Sequence, residues 1–375
     1  VETADVVIAG AGIIGLSLAL ELSLANRGLR VIVLERGRAM GESSWAAAGM
    51  LAANDPGNPP PLRELARLSL RLYPEYLQTI ESLSGRKVPI RTREAIQAVE
   101  HGELSSAPLL SPAELRRLVP QLNAAGHRFF LLAEPSLDPR DLCSALPIAA
   151  RAAGVDLREN SPVVSVDVGS NQTVVVQTPT NPIAARHFVN CAGAWAGFPA
   201  LAIAPTRPLG VTPRKGQMTT VRLRTPDRLN HVLRTADIYI VPRGEGRLAI
   251  GATVEHSGFD KTVEPAAIAR LLAAAAELWP PVADAEIIES WAGLRPGTAD
   301  ELPIFGPIGG GQLGPNRWVA TGHFRNGILL APATARLLTQ AIRGEVPNGE
   351  STALINLAPF SPDAIREEHP APAPI

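Results

Sequence analysis

The chain has 375 residues, 46% hydrophobic and 19% charged, with a formal net charge of −1. That is enough apolar material for two cores, and it offers no basic surface to attract nucleic acid or an anionic membrane. Its two cysteines, Cys143 and Cys191, stand in no metal-like spacing. No disulfide framework or metal site is therefore expected, and a reducing, cytoplasmic setting fits.

No basic, cleavable apolar segment precedes the first strand pattern, so no signal peptide is expected. "VVIAGAGIIGLSLALELSL" is the nearest approach to a membrane span, but Asp5 and Glu21 flank it and its glycines have a better use. Residues 5–10 read as a buried strand, "GIIGLSLALELSLANRG" as a helix ending near Gly28, and "LRVIVLER" as a second buried strand. This β-α-β unit implies a parallel sheet with a right-handed crossover. A long amphipathic helix follows the prolines at 59–61, with Pro74 expected to break or kink it. "EAIQAVE" reads as a strand, and "SPAELRRLVP" as a short helix capped by Ser111. The helix beginning "DPRDLCSAL" is expected to be interrupted at Pro147.

Strand patterns follow in "VDLRENSPVVSVDV", "QTVVVQTP" and "HFVNCAG", and from about Leu209 strands alternate. "DIYIVPRGEGRLAIGATV" predicts a hairpin turning at Gly244-Glu245-Gly246. A helix over "EPAAIARLLAAAAELWP", the strand "RWVATG" and a last helix from Gly327 to about Arg343 complete the chain, and "EEHPAPAPI" reads as a disordered tail. The fold class expected is α/β (α+β): a nucleotide-binding domain built from discontinuous segments with a β-rich domain inserted in it.

"GAGIIG" places Gly10, Gly12 and Gly15 in G-x-G-x-x-G spacing between a strand and a helix, and Glu35 ends the next strand. Gly10 permits the tight turn, Gly12 lets a pyrophosphate approach the helix N-terminus, and Gly15 lets helix and strand pack closely. Glu35 can accept from ribose hydroxyls, which disfavours a 2′-phosphate. The pattern does not separate FAD from NAD. Ser43 and Ser44, in "GESSWAAAGML", offer hydroxyls at a helix start.

"VVIAGAGIIG", "SSWAAAGML", "YIVPRGEGRLAIGAT", "WAGLRPGTADELPIFG" and "GHFRNGILLAPATA" span nearly the whole chain. Through them the sequence resembles the glycine oxidase branch of the FAD-dependent D-amino acid oxidase family. The resemblance implies a non-covalent FAD in a Rossmann-like domain of the glutathione-reductase type, over residues 1–85, 136–205 and 292–375. It implies a mixed β-sheet substrate domain over residues 86–135 and 206–291. It implies oxidative deamination of glycine, sarcosine or small D-amino acids, with O₂ as electron acceptor and hydrogen peroxide as product. A homotetramer and a link to thiamine thiazole synthesis are further implications.

Carried over by residue, Glu35 and Arg36 meet the adenosine, with Val163 on the adenine side. Ser43, Ser44, Ala48, Gly49 and Met50 line the pyrophosphate and flavin, beside Gly10, Gly12, Ile14, Gly15 and Gly193. His323, Phe324, Arg325, Asn326, Gly327, Ile328 and Leu329 wrap the isoalloxazine. Arg295, Arg325 and Tyr239 take the substrate carboxylate, and a guanidinium is suited to hold one bidentately. Arg325 sits at the mouth of the last helix, where the positive dipole end disfavours it unless a negative partner is present: the substrate carboxylate or reduced flavin. Asp237 and Val254 depart from the histidine and methionine of the family pattern, which leaves substrate preference open. A dehydrogenase passing electrons to a quinone or other carrier, an oxidase for a cyclic or N-methyl amine, and a non-catalytic flavin-binding protein are the alternatives.

Overall fold

The computed structural model describes residues 1–99, 108–124, 126–168, 173–201, 209–224, 227–308, 316–345 and 355–364. The expected disordered tail and the expected segment boundary at 205/206 lie outside them.

The β-α-β unit comprises β1 (Glu2–Ala9), α1 (Ile13–Ala25) and β2 (Val31–Leu34). The chain continues through α2 (Ser43–Ala46), α3 (Leu62–Ser84), β3 (Ile90–Thr92), β4 (Ala95–Ala98), α4 (Pro112–Leu118), β5 (Phe129–Leu132) and β6 (Ser136–Leu137). Next come α5 (Pro139–Ala152), β7 (Asp156–Arg158), β8 (Ser165–Val168), β9 (Val174–Gln177) and β10 (Ile183–Asn190). The later part holds β11 (Thr212–Arg222), β12 (Val232–Arg234), β13 (Tyr239–Gly244), β14 (Arg247–Gly251), α6 (Pro265–Leu278) and β15 (Glu286–Gly297). β16 (Ile304–Pro307), β17 (Arg317–Thr321) and α7 (Gly327–Ile342) complete the set.

Two sheets carry the architecture. In the first, β7, β2, β1, β10 and β17 run parallel, with β16 antiparallel at one edge and the β8–β9 hairpin laid on β10. Both faces of its centre are covered. Val6, Ile8, Val31 and Val33 enter the core shared with α1, α3, α5 and α7, while Val7, Ala9, Ile32 and Leu34 pack on the opposite side with the β8–β9 hairpin. Strands buried on both faces read as continuous apolar runs, which is why "VVIA" and "VIVL" carried no alternation. The second sheet has the order β15-β11-β14-β13-β12-β4-β5 and is antiparallel except for β12 beside β4. α6 covers its outer face through Ile268, Leu271 and Leu278.

Several expectations are corrected. α3 and α5 run unbroken through Pro74 and Pro147, because their buried faces hold them to α7 and α1 despite one missing backbone donor. α1 ends at Ala25 with Asn26 as cap, short of Gly28. β15 runs unbroken across position 292 and pairs with β11 as far as Gly297, so residues 292–297 belong to the second sheet. Ser111 caps α4 in a full capping box with Glu114.

Gly10, at φ +102°, closes the turn after β1, and a Cβ there would stand 2.5 Å from Cys191 O. A Cβ at Gly15 would overlap the Gly10 carbonyl. Gly15→Ala is therefore expected to cost about 1–3 kcal/mol through overpacking that backbone cannot relieve. Urea unfolding followed by circular dichroism checks this, and a midpoint equal to wild type refutes it.

Candidate active site

The C-terminal ends of the parallel strands β1, β2, β10 and β17 open into a cavity of about 1320 Å³ whose other wall is the second sheet. Crevices at such strand ends are where open α/β sheets bind ligands. Gly10, Gly12 and Ile14 line it, while Gly15 lies beneath, in the contact between helix and strand. Ser44 Oγ accepts from Ile13 N–H (2.9 Å), so a side chain 31 positions away caps the first turn of α1. Glu35 faces the cavity and is held by two backbone donors: Ala11 N–H to Oε2 (2.8 Å) and Gly37 N–H to Oε1 (2.9 Å). Each oxygen keeps a second lone pair for a ligand. Arg36 stacks on Trp195, 3.7 Å from the ring centroid, and pairs with Glu42 at 3.2 Å. Val163 and Gly193 are also on this wall.

The segment after Glu42 is tied to the second sheet. Ser43 Oγ donates to Leu294 O (2.8 Å), Trp291 Nε1 donates to Ala46 O (3.1 Å), and Arg243 Nη2 donates to Ala47 O (3.1 Å). Ala48, Gly49 and Met50 continue along the wall. Gly49, at φ +82°, lies so close to Leu137 O that no side chain fits.

Cavity-facing positions alternate along β11 and β15. Arg214, Gly216 and Met218 face in from one strand, and Gly293, Arg295 and Gly297 from the other. The Arg295 guanidinium lies against the bare Cα of Gly216 and donates to Thr253 O (3.1 Å). Among the described residues no carboxylate lies within ion-pair distance of it. The Tyr239 hydroxyl contacts Met218 Sδ at 3.5 Å. Burial raises its pKa above the usual 10, with Arg295 opposing, so it remains a neutral donor. Asp237 and Val254 are exposed at the cavity's rim.

At the head of α7, His323, Phe324, Arg325, Asn326, Gly327 and Ile328 reach the wall. Leu329 does not: it is buried in the helical core. His323 is 2% exposed and its Nε2 meets Thr334 Oγ1 at 3.1 Å. Burial pushes its pKa down to about 3, so the imidazole is neutral and adds no charge to the helix end. Arg325 has its negative partner within the chain: it donates to Gly57 O (3.2 Å) and lies 3.9 Å from Asp55 Oδ2.

Sequence reasoning missed the network behind Arg325. Arg234 lies between Glu134 (2.9 Å), Asp55 (3.6 Å) and the Gln97 amide oxygen, and Asp55 and Arg234 both reach the cavity. Burial opposes ionisation of Asp55, but Arg234 and Arg325 outweigh it and hold its pKa below the usual value. For Glu134 burial prevails over Arg234, and its pKa is raised. Lys215, on the opposite face of β11 and fully buried, anchors the 255–264 loop through Glu255 (3.3 Å), Asp260 and Glu264 (both 3.7 Å).

Residues 5–341 match the model of the FAD dependent oxidoreductase family (DAO). The chain belongs to that family. It is 34% identical to the glycine oxidase of Pseudomonas aeruginosa over 95% of this chain and 98% of that protein. It is 38% identical to the bifunctional protein ThiO/ThiG of Nostoc over 91% of this chain, and there it spans about half, 53%, of the relative's length. The crystal structure of glycine oxidase from Geobacillus kaustophilus superposes with a TM-score of 0.88 at 30% identity, covering 98% of this chain and all of that one.

The site fits the family's FAD. The Gly10 turn and the N–H groups at the head of α1 suit a pyrophosphate, and Glu35 suits a ribose. Cys191 lines the wall, but burial raises its pKa and keeps the thiol protonated. Cys143, its thiol pushed up to about 12 by burial, is off the wall. Neither is a ready nucleophile for a covalent tether.

Neutral His323 gives a pH dependence. An unfolded imidazole takes a proton near pH 6.5, while the folded one resists to about pH 3. The folded state therefore loses stability as pH falls from 6.5 toward 3, and the contribution is complete above 6.5. Urea midpoints between pH 7.5 and 5 should fall in wild type and fall less in His323→Gln. Parallel slopes in the two proteins would refute this.

Proposed function

We propose that the chain oxidises glycine and glycine-sized amino acids to the imine. Water hydrolyses the imine to ammonia and a 2-oxo acid, and O₂ takes the electron pair, giving hydrogen peroxide. The observation that carries this reading is Arg295: a guanidinium on the roof of the FAD cavity, braced over Gly216, beside a neutral tyrosine hydroxyl and without a carboxylate partner among the described residues. Such a group is suited to an α-carboxylate, which it binds by two parallel hydrogen bonds. The glycine oxidases of Pseudomonas and Geobacillus support the substrate class.

FAD supplies the two-electron acceptor. The chain's own residues bind and orient. Arg295 and Tyr239 hold the carboxylate so that the α-carbon faces the cofactor wall. Arg325 is a second clamp: it donates to the neutral Gly57 carbonyl and stands 3.9 Å from Asp55, so a substrate carboxylate within hydrogen-bond reach makes the closer, charge-assisted bond. Asp237 and Val254 border the amine and side-chain end. In this proposal the substrate ammonium yields its proton to water before transfer. In the same proposal, the FAD is held by residues 1–85, 136–201 and the chain beyond β15, and the seven-stranded sheet carries substrate recognition. The resemblance to the glycine oxidase branch implies a link to thiamine thiazole synthesis, where the imine of glycine is consumed, and a bifunctional ThiO/ThiG protein is among the chain's relatives.

Anaerobic addition of glycine to the FAD-loaded protein should bleach the flavin absorbance, and air should restore it with one peroxide per glyoxylate. Arg295→Ala should lose about 2–5 kcal/mol of kcat/KM, as for truncating one partner of a buried charge pair. No bleaching by glycine, sarcosine or D-alanine in protein that holds FAD defeats the proposal. Turnover with a dye but without peroxide selects the dehydrogenase.

A further inference from the structure

α7 begins at the cavity and contains Pro332 one turn in. Proline has no N–H, so the carbonyl four residues earlier, that of Ile328, has no helical donor. Tyr73 of α3 supplies one: its hydroxyl donates to Ile328 O at 2.5 Å. One position on, Ser69 Oγ donates to Leu329 O (2.6 Å) and accepts from Ala333 N–H (3.1 Å), joining itself to two groups that would pair with each other in a regular helix. Ser69 and Tyr73 are four residues apart on one face of α3, and are 0% and 3% exposed. Burial raises the Tyr73 pKa well above its usual range, so it always donates. Neither residue reaches the cavity wall, whereas Gly327 and Ile328 do. The first turn of α7 is therefore fastened to α3 at two points.

We propose that Ser69 and Tyr73 are positioning residues for the FAD: they aim the free N–H groups at the head of α7 at the cofactor and so raise its reduction potential. Negative charge appears on the flavin when it is reduced, and oriented N–H groups at a helix N-terminus stabilise it. A turn released from α3 spreads those donors and favours the reduced form less. Neutral His323 adds no charge to that field, and the Arg325 guanidinium beside it is the same in every variant compared. The inference rests on the family's FAD being held at this wall.

The test measures the midpoint potential of bound FAD by dye equilibration in wild type, Tyr73→Phe and Ser69→Ala. Tyr73→Phe keeps the ring and its packing, so it carries the test if Ser69→Ala fails to fold. Tyr76→Phe is the control: it deletes another tyrosine hydroxyl of α3, one on a half-buried side chain that meets Ser17 Oγ of α1 at 2.7 Å instead of α7. A tenfold weaker preference for the reduced form, about 30 mV more negative for a two-electron couple, is expected in Tyr73→Phe and Ser69→Ala. Tyr76→Phe should lower thermal stability with no change in potential. Potentials equal to wild type in Tyr73→Phe, or an equal shift in Tyr76→Phe, overturn the inference. Wild-type protein that takes up no FAD would instead sink the reading beneath it.

Discussion

Everything in the site depends on a five-residue segment caught between two sheets. Ser44 is bonded into the head of α1, while its neighbour Ser43 is bonded to the β15 backbone. Trp291 and Arg243 then hold the carbonyls of Ala46 and Ala47. The distance between the glycine turn and the roof over it is thus set by direct hydrogen bonds. Gly293 makes this possible, since a Cβ there would meet the Ala46 methyl at 2.5 Å. Arg243 is itself buried and counterbalanced by Asp138 at 3.1 Å, so the tie is satisfied at both ends.

The opposite flank is held by charge. Asp55 joins the loop after Met50 to Arg234 on β12 and Arg325 before α7, and its Oδ1 accepts from Gly57 N–H at 3.0 Å. Three chain segments, far apart in sequence, meet on one carboxylate. Such a buried cluster adds little net stability compared with an apolar core, but it fixes one arrangement because each unpaired alternative is costly. Arg325 is the member that faces solvent, 44% exposed, and therefore the one able to change partners.

The dinucleotide turn was legible because its signal is local: Gly10, Gly12, Gly15 and Glu35 fall in one β-α-β unit with fixed spacing. Arg295 and Tyr239 could be named from their motifs, yet only the pairing of β11 with β15 shows the arginine lying over Gly216. The Asp55–Arg234–Glu134 network had no sequence signature, since buried ion pairs follow no period and their members come from separate elements. Pro74 and Pro147 do not end their helices, for a related reason. Local propensity argued for breaks, and packing of the amphipathic faces overrode it. The misplaced boundary at 292 reflects a strand whose inner end carries the "GLRPG" motif and whose outer end is exposed, so no single pattern covers it.

The central strand, β1, is made before both of its neighbours, β2 and β10, and waits longest for the second. Val7 pairs on one side with Ile32 but on the other with Phe188, and β10 in turn pairs with β17, followed by α7. During synthesis the glycine turn leaves the ribosome early, while the wall that completes its pocket is still untranslated. Cofactor capture is therefore a closing event in the birth of this chain. Until then β1, whose last four residues are the apolar run Val6–Ala9, has one open edge, and an unpaired apolar edge is a site for mispairing.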